Sequence, residues 1–174
     1  WLKAPRYQGQ PYETGALARM WVNGDYRQGI SVMDRHRARA YETVKIANAM
    51  KTWVNQIKPG KPVYTRHTPA LAAAAYGLTE APRGALGHWM KIDAGKTSHY
   101  QIITPTCWNA SPRDGNAALG PLEKALIGTE VKNINEPIEV LRVIHSFDPC
   151  LSCAVHVLNL EGAKALKTKR LRII

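Results

Sequence analysis

The sequence predicts an α+β fold that is mainly helical, with long helices and a small antiparallel β-hairpin. The first observation is an apolar stripe with three- and four-residue steps, the period of a helix, at Ala40, Val44, Ala47, Met50, Val54 and Ile57. The second is a pair of β-type segments, residues 87–92 and 99–104, separated by the turn-forming sequence Asp-Ala-Gly-Lys. The length of 174 residues suits one ordinary domain.

The first half of the chain is expected to contain one short helix and one long one. Residues 1–30 read as irregular structure with a short helix near 13–22. Ser31 and Asp34 have the spacing of a capping box, which predicts the start of the long helix. The sequence Lys-Pro-Gly-Lys-Pro at 58–62 ends it. We expect the Met and Trp residues of this helix to lie in the core.

The second half is expected to alternate loops with short elements. Residues 63–83 read as a loop, in which the small-residue stretch 70–75 is compatible with a short packed helix. A loop at 109–116 follows the hairpin. A helix at 121–127 is expected to stop at Gly128. Another helix, at 136–145, has Pro137 in its first turn.

Composition and charge exclude several classes of protein. The 24 Lys and Arg against 13 Asp and Glu give a net charge of +11. The chain has no recognition-helix signature and no RNA-binding aromatic motif, so we expect a solvated basic surface or an acidic partner and no nucleic acid. A basic cluster near the end comprises Lys164, Lys167, Lys169, Arg170 and Arg172. The sequence has no run of about 20 apolar residues, so no transmembrane helix is predicted.

The most specific motif is Cys-x-x-Cys-x-x-His, formed by Cys150, Cys153 and His156. Thiolates and imidazole suit soft or borderline metals such as zinc, nickel and iron. The bare pattern is compatible with half a zinc site, a redox dithiol or a set of cluster ligands. The four preceding residues, Ser-Phe-Asp-Pro at 146–149, help to decide between these kinds of site.

With this prefix, the motif resembles the C-terminal metal motif of the large subunit of nickel–iron hydrogenases. Three further segments resemble signatures of that family: Glu-Thr-Gly-Ala-Leu-Ala-Arg-Met at 13–20, Glu-Ala-Pro-Arg-Gly-Ala-Leu-Gly-His-Trp at 80–89, and Ile-Thr-Pro-Thr-Cys-Trp-Asn-Ala-Ser-Pro-Arg-Asp at 103–114. They occur in the family's order and cover nearly the whole chain. The resemblance is closest to the uptake-type enzymes, and it implies that the predicted elements are part of the large-subunit fold.

The resemblance also implies that the metal site is incomplete within this sequence. The family's first cysteine pair, in an Arg-x-Cys-Gly-x-Cys segment, has no counterpart here. Residues 1–156 are therefore expected to be the C-terminal portion of a large subunit, a single domain whose completion needs the remainder of that subunit. The family's maturation endopeptidase usually removes whatever follows this histidine. Residues 157–174 are thus expected to be an extension of a precursor, or else a retained docking element.

The metal ligands implied by the resemblance are four. Cys150 would be a terminal nickel ligand, and Cys153 would bridge nickel and iron. His156 and the backbone carbonyl of Ile102 would bind a magnesium ion. The alternatives are a structural zinc site formed by Cys150, Cys153 and His156, and a histidine hydrogen-bonded in a packed core.

The resemblance assigns catalytic and pocket-forming roles to four more residues. The Arg83 guanidinium would lie over the open metal positions and assist cleavage of hydrogen. Pro82 and Arg83 would shape the pocket around the cyanide ligands of the iron, and the Thr106 hydroxyl would donate to a cyanide nitrogen. Asp148 would pair with Arg83, orient the metal loop or cap its turn. The plainer alternatives are a surface salt bridge for Arg83 and a strand-end position for Thr106. Cys107 is expected to be small and buried.

The function implied is reversible oxidation of molecular hydrogen to protons and electrons. The iron would carry carbon monoxide and cyanide ligands. Electrons would leave through iron–sulfur clusters of a separate small subunit, since the chain has no cysteines left to hold a cluster. The other readings are a structural zinc-binding module and a non-catalytic relative like the quinone-binding subunit of respiratory complex I. Localisation stays open between the cytoplasm and a membrane reached through partner subunits.

Overall fold

The computed structural model describes residues 3–150, which form an α+β fold. Cys153, His156 and the extension 157–174 lie outside the described residues. The elements in chain order are α1 (Ala16–Asn23), α2 (Val32–Gln56), β1 (Ala73–Ala81), β2 (Gly84–Asp93), β3 (Lys96–Ile103), α3 (Pro105–Asn109), α4 (Pro121–Leu126) and α5 (Ile138–Ser146). The three strands form one antiparallel sheet in the order β1-β2-β3.

Helix α2 begins at the predicted capping box. The Ser31 hydroxyl accepts a hydrogen bond from the Asp34 backbone N–H at 3.3 Å, and the Asp34 carboxylate accepts one from the Ser31 backbone N–H at 2.8 Å. The Tyr26 hydroxyl donates to the same carboxylate. These bonds satisfy backbone donors that a helix start otherwise leaves unpaired.

The core lies where α1 packs against the first turns of α2. Leu17, Met20, Tyr26 and Ala38 form its buried apolar cluster. Beyond Ala38 the apolar stripe of α2 is exposed: Met50 and Trp53 are 53% and 55% accessible. The expectation that the Met and Trp residues of this helix lie in the core is therefore wrong for the described part of the chain. The periodicity of α2 indicates an apolar face. It does not indicate which part of the protein packs against that face.

The predicted hairpin is present and longer than expected. Strands β2 and β3 are joined by Ala94 and Gly95, both with positive φ (50° and 72°), the backbone of a type I′ turn. A third strand was not predicted. Residues 70–75, expected to be loop or short helix, instead lead into β1, which pairs with β2 from Ala73 to Ala81. Alanine favours helices when isolated, but pairing with a neighbouring strand overrides that preference.

The prediction of long, predominant helices is only partly met. Among residues 3–150, α2 is the one long helix, with 25 residues, and the others have nine or fewer. The α4 helix ends as predicted before Gly128, whose φ is 79°. The α5 helix starts after Pro137. The α3 helix was not predicted. Because Thr106 belongs to it, this residue lies in a helical turn and not at a strand end.

Within residues 3–150, no helix combines the length and the apolar composition needed to cross a bilayer.

Candidate metal centre

Arg83 lies at the tip of a hairpin, and the fold brings it to Asp148. The last pair of β1 and β2 is Ala81 with Gly84, so Pro82 and Arg83 alone connect the two strands. Asp148 follows the C-terminal end of α5 with a left-handed backbone (φ 49°). Arg83 Nε lies 3.5 Å from Asp148 Oδ2, with both side chains about two-fifths exposed. The expected pairing of these two residues is therefore present.

Cys150 lies two residues further on and is anchored by Thr106. The Cys150 backbone N–H donates to the Thr106 hydroxyl at 3.3 Å, and the Cys150 side chain is exposed. Thr106 is in the first turn of α3. A hydroxyl accepts and donates at the same time, so this bond still allows Thr106 to donate its proton elsewhere. Two predicted site residues from distant signatures are thus in contact.

A small cavity lies behind the Arg83–Asp148 pair. Its volume is about 10 Å³, enough for about one water molecule. Its walls come from the segment before α1, the first turns of α2, the β1–β2 tip and the end of α5: Glu13, Thr14, Gly15, Ala16, Leu17, Arg35, Arg39, Pro82, Arg83, Ser146, Phe147 and Asp148. Three of the four sequence signatures therefore meet at one cavity.

The segment around Thr14 is held tightly against the arginine hairpin. The Asn109 side chain accepts from the Thr14 backbone N–H at 2.8 Å and donates to its carbonyl at 3.0 Å. A Cβ added at Gly84 would lie 2.3 Å from Thr14 Oγ1, and one at Gly15 would lie 2.9 Å from the Arg83 carbonyl oxygen. Both positions therefore require glycine. The Thr14 hydroxyl is buried without a hydrogen-bond partner among residues 3–150.

Two arginines of α2, which the sequence analysis did not single out, line the same cavity. Arg35 donates twice to the Glu13 carboxylate, at 2.8 and 2.7 Å. Its guanidinium also lies over the Phe147 ring, 3.9 Å from the ring centroid. Arg39 donates to the Ser146 carbonyl at 2.9 Å. In the sequence, the one signal for these two arginines was their spacing of four residues, which puts both on one helix face.

Arg19 supports the β1–β2 hairpin tip through the backbone just before Arg83. Its guanidinium donates to both Glu42 oxygens at 2.6 and 2.7 Å, and to Glu80 at 2.7 Å. It also donates to the carbonyls of Ala81 and Pro82, at 3.0 and 2.9 Å. The hydrogen bond with Glu42 is the largest cause that raises the pKa of Arg19 above its ordinary value. Arg19 is therefore a permanently charged clamp on the backbone just before Arg83.

The described residues supply only part of a metal-ligand set. Cys150 offers a thiol, a donor that suits nickel and iron, so its chemistry fits the centre implied by the resemblance. No group of three or more His, Cys, Asp or Glu side chains converges within residues 3–150. The Ile102 carbonyl, the expected magnesium ligand, accepts a hydrogen bond from the Lys3 ammonium at 2.6 Å. Cys107 is buried beside the Thr104 hydroxyl, as expected of a small side chain away from the ligands.

The fold and this site define a class of protein. An arginine at a hairpin tip, paired with the aspartate of an Asp-Pro-Cys sequence, is the arrangement expected of a hydrogenase large subunit. The family model described as nickel-dependent hydrogenase matches residues 23–156, and the chain belongs to this family.

Individual relatives agree with the family match. The chain is 42% identical to the periplasmic [NiFeSe] hydrogenase large subunit of Desulfomicrobium baculatum, over 92% of this chain and 36% of that protein. It is 37% identical to the uptake hydrogenase large subunit of Rhodobacter capsulatus, over 97% of this chain and 33% of that protein. The chain therefore spans about a third of the length of these relatives, and uptake-type large subunits are among them.

Solved structures show the same fold. The Ni-Fe-Se hydrogenase of D. vulgaris Hildenborough, in its reduced state, matches with a TM-score of 0.81 at 39% identity. The match covers 87% of this chain and 37% of that one. The three-stranded sheet and its helices are thus a piece of the hydrogenase large-subunit fold.

Proposed function

We propose that this chain acts as the C-terminal portion of a hydrogenase large subunit that reversibly oxidises hydrogen to protons and electrons. The observation that carries the proposal is the Arg83–Asp148 pair two residues before Cys150, in a chain of the nickel-dependent hydrogenase family. Cys150 is proposed as a terminal nickel ligand and Cys153 as a bridge to iron. The remainder of the large subunit would supply the other two cysteines.

The residues around the proposed centre would bind and orient what it holds. Nickel and iron, when bound, supply the Lewis acidity and redox capacity for splitting hydrogen. Arg83 has a planar, permanently charged group with several donors, which would lie over the open metal positions. Pro82 would shape the wall beside it, and the Thr106 hydroxyl would donate to a cyanide ligand of the iron. Asp148 would keep the Arg83 guanidinium oriented.

Further components of the assembly are proposed on the same basis. Carbon monoxide and cyanide would complete the iron's ligands, and His156 with the Ile102 carbonyl would bind magnesium. The Ile102 carbonyl accepts the Lys3 ammonium in this structure, so Lys3 would have to move away for magnesium to bind there. An iron–sulfur small subunit would carry the electrons, because beyond the two proposed ligands this chain has only Cys107, which is too few for a cluster.

The test uses the full-length large subunit, assembled with its small subunit, and a Cys150→Ala variant. We expect the variant to fold but to lose hydrogen uptake and nickel, because a methyl group cannot replace a thiolate ligand. Cys107→Ala is the matched control and should keep both. Metal analysis of the wild type separates the alternatives: nickel with iron supports a hydrogenase, and zinc alone a structural module. A Cys150→Ala assembly with wild-type uptake and full nickel would refute the ligand assignment.

A further inference from the structure

Two arginines on one face of α2 hold the turn from which Asp148 emerges. Arg35 and Arg39 are four residues apart, so their side chains project from the same side of the helix. Arg39 bonds the Ser146 carbonyl at the C-terminal end of α5. Arg35 lies against the ring of Phe147, the next residue. The two arginines therefore contact consecutive residues immediately before Asp148.

The Arg35 contact is geometrically constrained. The Arg35 side chain is 6% exposed and its partner Glu13 is 23% exposed, so the charge of Arg35 must be paired where it lies. Two parallel N–H···O bonds fix the plane of the guanidinium as well as its position. A fixed guanidinium plane gives the Phe147 ring, itself buried, one favourable stacking position. Glu13 and Arg35 together thus determine where Phe147 lies.

The Asp148 backbone N–H donates to the His145 carbonyl at 2.9 Å, but the Asp148 side chain is weakly held by its own interactions. Its φ of 49° is a left-handed conformation that non-glycine residues adopt at a cost. Its ion pair with Arg83 is partly exposed and 3.5 Å long, the kind of pair that contributes little by itself. The Asp148 orientation therefore depends on the turn that precedes it.

We propose that Arg35 and Arg39 are positioning residues that act through Ser146 and Phe147 to hold Asp148 toward Arg83. The inference rests on the proposed function, because it gives a task to the Arg83–Asp148 pair. Neither arginine needs to touch substrate or metal. Their contribution is to keep the Asp148 carboxylate where it orients the Arg83 guanidinium.

The test is a double-mutant cycle in the assembled enzyme, measured as hydrogen uptake per bound nickel. Arg39→Lys keeps the charge but loses the fork that reaches the Ser146 carbonyl. We expect it to lower uptake about tenfold, since small displacements near a reacting centre have large effects. In an Asp148→Asn background the same change should cost less than about twofold, because the residue it acts through is already altered. Lys45→Gln, also on α2, breaks an exposed ion pair with Asp25 in the loop before this helix and should change nothing.

Two results would overturn the inference: full uptake per nickel in Arg39→Lys and Arg35→Lys, or losses that multiply in the double variants. If Arg35→Lys does not fold, Phe147→Leu removes the stack while the Glu13–Arg35 pair stays, and the same criteria apply.

A crystal structure of the Arg39→Lys assembly supplies a readout independent of activity. The Arg83–Asp148 separation should increase while the fold is kept, and an unchanged separation contradicts the inference. A wild-type assembly without hydrogen uptake would instead refute the proposed function.

Discussion

Arg83 owes its position to the shortness of the β1–β2 connection. With two residues in the loop, the arginine has little freedom to move away from the cavity. Arg19 fixes the preceding carbonyls, and Gly84 allows Thr14 to approach closely. A side chain on such a rigid tip is well suited to orient a reacting molecule.

We predict that Arg83→Lys lowers hydrogen turnover by about a hundredfold or more without emptying the metal site. Lysine keeps the positive charge but loses the planar array of donors, and misplacing a polar group near the chemistry has an effect of this size. Turnover and nickel content of the assembled enzyme are the measurements. Arg113→Lys, at an exposed loop position, is the control. Unchanged turnover at full nickel would reduce Arg83 to a structural residue.

The sequence predicted the site residues that belong to motifs and missed those that support them. Arg83, Asp148 and Cys150 stand in recognisable segments, so resemblance could identify them. The contact of Arg39 with Ser146 joins positions 107 residues apart, and nothing local in either segment indicates it. Arg35 was missed for the same reason. Arg19 lies inside the 13–20 signature, but no role was assigned to it because only the fold brings Glu42 and Glu80 near.

The capping box of α2 is an element whose strength depends on pH. The Ser31 hydroxyl, followed by the Tyr26 hydroxyl and the Ser31 backbone N–H, lowers the pKa of Asp34 to about 2. An unfolded aspartate titrates near 4. The stabilising effect of the ionised carboxylate is therefore fully present above about pH 4 and is lost as the pH falls toward about 2.

We predict that Ser31→Ala lowers the thermal unfolding midpoint at neutral pH and that the difference from wild type narrows between about pH 4 and 2. Loss of an N-cap hydroxyl typically costs about 1 kcal/mol. The part of the Asp34 stabilisation that the Ser31 hydroxyl supplies is absent from the variant, and the wild type loses it once this carboxyl is protonated. Circular dichroism melts at several pH values measure it, with Thr68→Ala as control in an exposed loop. A difference that stays constant down to pH 2 would disprove the coupling.

At the scale of elements, local signals predicted α2, α4 and the β2–β3 hairpin. Each begins or ends with its own chemistry: a capping box, a Gly stop or a two-residue turn. Strand β1 has no such signal, because its alanines are compatible with a helix and only pairing with β2 makes them a strand. The short α3 depends on Pro105 at its first turn, a cue that the preceding strand pattern concealed.

Among residues 3–150, large apolar side chains on α2 and on β1 are exposed. Val44, Met50 and Val54 on α2 are each more than half exposed, as are Tyr76 and Leu78 on β1. Surfaces of this kind mark contact sites. Because the chain spans about a third of its relatives, we propose that the remainder of the large subunit covers the α2 face.

We predict that Val54→Lys has opposite effects in the two contexts. In this chain alone it should reduce self-association, because it breaks an exposed apolar face. In the full-length large subunit it should destabilise the fold by about 1.5–3 kcal/mol or more, because a buried valine is lost and a charge is introduced. Light scattering and thermal unfolding measure the two effects. Val63→Lys, in an exposed loop, should be neutral in both. A neutral Val54→Lys in the full-length subunit would mean that α2 remains open to solvent.

The sheet and the cavity differ in the sequence separation of the segments that form them. Both hairpins close through two residues, so the sheet needs only neighbouring segments and is expected to form early. The cavity needs Thr14 to meet Asn109 and Arg39 to meet Ser146, contacts 95 and 107 residues apart, whose loop closure comes late. We therefore expect the arginine hairpin to form before the wall that carries Asp148 and Cys150. The proposed metal centre is accordingly expected to be bound before these long-range contacts form.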